Sequence, residues 1–143
     1  MTQGQKQLQV FQTTLQKTHE MVKAVNDRFS WEDEHKAYLA LRSILQTLRD
    51  RLTIENAASL GAQLPMLVRG FYFEGWKPQS APIKMNRAEF VGEVERVLEP
   101  PFDESTEDII KGVLAIVESY TDPAEMRKIK KTLPKDIVEM LGP

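Results

Sequence analysis

From Leu8 onward, apolar residues return at positions 8, 11, 15, 22, 25 and 29 (Leu8, Phe11, Leu15, Val22, Val25, Phe29). These steps of three, four or seven keep them on one face of a long amphipathic helix. Ser30, followed by Trp31 and the acidic run Glu32-Asp33-Glu34, predicts a capped start for a second helix. Its stripe is Trp31, Tyr38, Leu41, Leu45, Leu48 and Leu52. Thr53 then caps a third run, Ile54 to Gln63. Pro65 forces a break at Leu64, because proline lacks an N–H and disfavours helix in the residue before it. A short segment from Pro65 through Gly70 follows. Residues 71–85, with Gly75, Pro78 and Pro82, are predicted as a loop.

The second half repeats the vocabulary. Asn86 with Glu89 three residues on is a capping box opening a helix that carries Phe90, Val91, Val94, Val97 and Leu98 and stops at Pro100-Pro101. Ser105 or Thr106 caps the next helix, whose buried face is Ile109, Ile110, Val113, Leu114 and Val117. Asp122-Pro123 places a cap and a first-turn proline before a sixth helix running to Leu133, and Pro134 repeats the Leu-Pro break.

Leu64-Pro65 and Leu133-Pro134 are 69 residues apart, as are the caps Thr53 and Asp122. In that register residues 21–74 and 90–143 share only five identities. Large apolar positions nevertheless coincide at 13 places, against about eight expected from composition; shared helical periodicity supplies part of that excess. The expected architecture is all-α: six or more helices, as two repeated three-helix units (18–74 and 87–143) joined by a linker at about 71–86. Units of this size are near the lower limit for an independent core, so both are expected to share one, as a single domain of residues 1–143 with pseudo-twofold symmetry.

Composition narrows the function. The 143 residues carry 19 basic and 21 acidic side chains, a net charge of −2, so no overall field favours nucleic acid or an anionic membrane. With no cysteine, disulfides, thiolate nucleophiles and Cys-zinc sites are excluded. No apolar run approaches the roughly 20 residues of a membrane span. The first residues carry neither a signal-peptide core nor transit-peptide bias, so the expected location is cytoplasmic.

The run LRDRLTIENAASLGAQLPMLVRGFYFEGWKP holds Leu48-Arg49-Asp50-Arg51-Leu52, Ala62-Gln63-Leu64-Pro65, Arg69-Gly70 and Gly75-Trp76-Lys77-Pro78. It resembles a bacterial family known as domain of unknown function 2267. The similarity extends upstream through Trp31, Ala37, Tyr38, Leu41 and Leu45 and more weakly downstream, over about residues 18–141. The resemblance implies an all-helical protein, brings no catalytic motif with it, and weakens at Asp122-Pro123-Ala124-Glu125.

Catalytic chemistry finds little footing. Glu32 and His35 form one ExxH, but the positions 69 residues on are Pro101 and Glu104, so the second half of a di-metal site is missing. His19-Glu20 lies on helix 1 and is read as part of a solvated face. Neither a nucleophile elbow nor a phosphate-binding glycine loop occurs. No catalytic residue, metal ligand or cofactor is assigned.

Two clusters remain. Arg49-Asp50-Arg51 and Arg69 are either ion pairs that fix helix packing or an anion-binding patch. Phe71-Tyr72-Phe73-Glu74-Gly75-Trp76 is either core and hinge packing or a contact surface. The binding hypothesis therefore names Arg49, Arg69, Tyr72 and Trp76. The preferred reading is a non-enzymatic interaction or adaptor domain that binds protein, or its own copy, through the Gly70 to Trp76 region or the long helix 1. The alternative is a small-molecule binding protein or enzyme with a pocket between the two halves.

Overall fold

In a computed structural model, residues 8–78, 82–98 and 102–141 are described. Among them are eight α-helices and no strand: α1 Gln9–Phe29, α2 Glu34–Arg51, α3 Ile54–Gln63, α4 Met66–Phe73, α5 Arg87–Leu98, α6 Thr106–Glu118, α7 Pro123–Lys130 and α8 Lys135–Leu141. The expected helix stop at Pro100-Pro101 lies outside the described residues.

The caps explain most boundaries. Thr53 accepts from the Asn56 amide, Ser105 from Asp108 and Asp122 from Ala124. Asn86 and Glu89 bond reciprocally, side chain to backbone, at 3.0 and 2.8 Å, satisfying two amides that a helix start otherwise leaves free. The start of α2 differs from expectation. Ser30 has φ 54° and closes α1 as a left-handed cap, its N–H reaching Asn26 and Asp27. The helix begins instead at Glu34, with the Asp33 side chain accepting from Lys36. Trp31 is thereby freed to stack on Phe29 at 4.7 Å, and its Nε1 donates to Glu104 at 3.0 Å.

A second correction concerns residues 71–73. They continue α4 rather than opening the loop, because Gly70 keeps helical geometry and its carbonyl accepts from the Glu74 amide. The segment after Pro134 is likewise a helix, α8. Each Leu-Pro break thus reorients the chain into a short further helix.

The core lies where α2 packs on α1, α4, α5 and α6, with α1 also on α4 and α6, and α8 on α5 and α6. Of the 13 apolar pairs in the 69-residue register, 11 have both members buried; Val22/Val91 and Phe29/Leu98 have one buried and one half-buried. Helices α1 and α5 end 69 residues apart, at Phe29 and Leu98, and α4 and α8 start 69 apart, at Met66 and Lys135. No helix of the described residues is long and apolar enough to cross a membrane.

Candidate interaction surface

Helix α1 has two different halves. In its second half Thr18, Met21, Val22 and Val25 are buried. The stripe continues through the first half, but there Leu8 is 62% exposed, Phe11 55% and Leu15 46%. The same apolar seam therefore runs about two turns beyond the elements that cover it. The sequence pattern placed all these residues on one face, and they do share it; periodicity says nothing about where the neighbouring helix ends. Facing α1, α6 stops at Glu118, and the phenol of Tyr120 just beyond it is raised from its ordinary pKa, chiefly by burial and secondarily by the nearby Glu20 carboxylate. Little remains of α6 to cover the turns of α1 before Glu20.

This half of α1 is held in place. The Thr14 hydroxyl oxygen accepts the Leu67 N–H at 2.9 Å. Helix α4 opens on Pro65, which provides no side-chain cap, so α1 satisfies a free amide of α4 from outside. A groove of about 520 Å³ runs between the two helices, lined by Val10, Thr13, Thr14 and Lys17 on one side and Pro65, Met66 and Arg69 on the other. Val10, Met66 and Leu67 are each exposed by more than two-fifths. Thr14 and Leu67 escaped the sequence reading because their contact spans 53 residues; the one local signal was a proline where a capping side chain would stand.

The four sequence-nominated residues fall elsewhere. Arg42, Gln46 and Arg49, spaced i, i+4, i+7 on α2, grip the C-terminal turn of α4. Arg42 pairs with the Glu74 carboxylate at 2.7 Å, Gln46 donates to the Phe71 carbonyl at 2.8 Å, and Arg49 Nη1 donates to the carbonyls of Tyr72 at 2.8 Å and Glu74 at 3.2 Å. Arg49 is buried, and its Nε bonds Asp50 at 2.8 Å. Arg69 does for α3 what Arg49 does for α4, donating to the carbonyls of Gly61 at 2.9 Å and Leu64 at 3.1 Å. In both cases a cation meets the negative end of another helix's dipole.

Tyr72 is fully buried, and its hydroxyl donates to the Ala57 carbonyl at 2.8 Å. Burial pushes its phenol well above the ordinary value, the neighbouring Asp50 adds to the rise, and Arg49 opposes it. Phe73 lies against Tyr72 at 4.8 Å and stacks on Trp76 at 5.3 Å, so the aromatic run forms a ladder along the bundle. Arg49 and Trp76 share a cleft of about 10 Å³, room for about one water. Arg69 and Tyr72 do not line it. Glu32 has φ 54° and lies in the turn before α2, so Glu32 and His35 are not on one helical face. No group of three or more His, Asp or Glu among the described residues is placed to hold a metal ion.

The sequence pattern of the family described as "Uncharacterized conserved protein (DUF2267)" matches residues 18–140. The chain belongs to this family. The DUF2267 match begins at Thr18, the first buried residue of α1, so Leu8, Phe11, Thr14 and Leu15 precede it. The grip of α2 on α4 and the Arg69 cap lie inside it. A comparison with curated proteins finds no match.

Proposed function

We propose that this DUF2267 protein is a non-enzymatic interaction domain whose binding surface is the exposed seam on the first half of α1. One observation carries the reading: an apolar helical seam, buried from Thr18 on, continues uncovered through Leu15, Phe11 and Leu8. Leu8, Phe11 and Leu15 are each about half exposed and share one face, and an exposed apolar patch on a monomer is often functional. Covering it would stabilise a complex at roughly 25 cal/mol per Å² before association costs. The Thr14–Leu67 bond supports the same reading, because a held helix gives up less entropy on binding than a fraying one.

The scaffold presenting this surface is, in this reading, a duplicated unit related by a pseudo-twofold axis, each copy having four helices, α1–α4 and α5–α8, where the sequence pattern predicts three. The paired burial at 69-residue spacing supports it, as does the exchange pattern of the helix contacts. The α2–α5 packing has its counterpart in α1–α6, and α2–α4 in α6–α8, while α2–α6 and α3–α7 pair equivalent helices across the axis. Arg49, Arg69, Tyr72 and Trp76 belong to this scaffold, closing helix ends and filling the space between α2, α3 and α4.

The test is capture of partners from an extract of the source cells by the wild-type chain and by a Phe11→Glu/Leu15→Glu variant. Both substituted side chains are exposed, so the variant should melt within about 2 °C of wild type. Loss of bound protein by a folded variant is the expected result. Retention of every partner would overturn the placement of the surface.

A further inference from the structure

The segment from Leu8 to Gln16 contains no charged residue, although 28% of the chain is charged. Its exposed apolar residues are also arranged almost symmetrically: Leu8 and Leu15 stand three and four residues from Phe11. Two such segments laid antiparallel, with a twofold axis passing near Phe11, bring Leu8 of each opposite Leu15 of the other and the two Phe11 rings together at the centre. A twofold interface must be self-complementary, each patch serving both as donor of contacts and as receiver. An uncharged, near-palindromic seam meets that condition: within residues 8–16 no like charges are opposed, and Leu8, Phe11 and Leu15 meet only one another. The helix dipoles are antiparallel in this arrangement and attract.

We infer that the occupant of the α1 seam is a second copy of this chain, bound through antiparallel pairing of residues 8–16. The inference rests on the interaction reading above and names its partner. Helix pairing over two to three turns through Leu8, Phe11 and Leu15 buries area at or below the lower limit of specific interfaces, about 1,000 Å² in total. So small an interface fits a weak, reversible dimer.

Sedimentation velocity over a concentration series tests it. The mean mass should rise from 16.4 kDa toward twice that value, and Phe11→Glu should weaken association at least tenfold while leaving the melting temperature of the dilute monomer unchanged. A wild-type chain that stays monomeric to millimolar concentration overturns the inference. So does a dimer that Phe11→Glu leaves intact. A photo-crosslinking phenylalanine analogue at position 11, used in the source cells, separates this proposal from the one beneath it. An adduct of two copies of the chain supports both. An adduct with a different protein only overturns the second-copy assignment and leaves the interaction surface standing. Absence of any adduct from a folded chain overturns both.

Discussion

The hydroxyl of Thr14 on α1 accepts the amide N–H of Leu67 at 2.9 Å, supplying α4 from outside with the cap that Pro65 does not provide. The bond ties the exposed half of α1 to the bundle and so orients the apolar seam. Thr14→Val keeps the shape and removes the acceptor. It should cost about 1 kcal/mol, the usual value of an N-cap, measured by urea unfolding, and should speed amide exchange in α4 at Leu67. Unchanged exchange there would show that the bond does not hold α4.

Arg49 ties α2 to α4. Its guanidinium serves two carbonyls and Asp50 from a buried position. Arg49→Ala strands these acceptors and should destabilise the protein by about 2–4 kcal/mol. Arg69→Ala, which releases more exposed carbonyls, should cost about 1–2 kcal/mol. Arg49→Lys should not restore stability, because an ammonium lacks the planar fork that reaches several acceptors at once. Thermal melts of the three variants give the order directly.

Tyr72 sets a limit at alkaline pH. Burial holds its phenol neutral in the folded protein, whereas in the unfolded chain it ionises near pH 10. A raised folded pKa stabilises the protein fully below about pH 10, and that contribution is withdrawn as pH climbs toward the folded value. Tyr72→Phe removes the bond to Ala57 and should cost about 1–2 kcal/mol at neutral pH. The stability gap between wild type and variant should narrow above pH 10. A gap that is constant from pH 8 to 11 would contradict the assignment.

Two glycines within helices should respond to alanine with opposite signs. A Cβ on Gly112 would lie 2.5 Å from the Phe29 ring, which is itself stacked on Trp31. Gly92 has nothing within 4 Å. Gly92→Ala should stabilise by up to about 1 kcal/mol through helix propensity. Gly112→Ala gains the same propensity but must displace the ring, an overpacking cost of roughly 1–3 kcal/mol, and should be destabilising overall. Chemical denaturation of both variants decides it.

What was legible in the sequence follows how local its cause is. The caps at Thr53, Asn86 and Asp122, the cap at Ser105 or Thr106, and the two Leu-Pro breaks act within four residues and are legible there. The apolar register put Leu41, Leu45 and Leu48 inward, with their counterparts Ile110, Leu114 and Val117. The start of α2 was misplaced because Ser30 answers to two demands, N-cap chemistry and the left-handed turn closing α1, and the second prevails. At Leu8, Phe11 and Leu15 the face was legible but its covering was not, since that depends on where α6 ends. Arg49 and Arg69 are legible as either packing ion pairs or an anion-binding patch; that their acceptors include carbonyls of other helices appears only once the helices are assembled.

In our proposal the seam of α1 from Leu8 to Leu15 is covered by a second copy of the chain. Amide hydrogen exchange across α1, measured at low micromolar and near-millimolar protein, tests it most directly. Residues 8–17 should become markedly protected at the higher concentration, while residues 18–29, already against the core, should not change. Identical exchange of residues 8–17 at both concentrations would overturn the pairing of two copies.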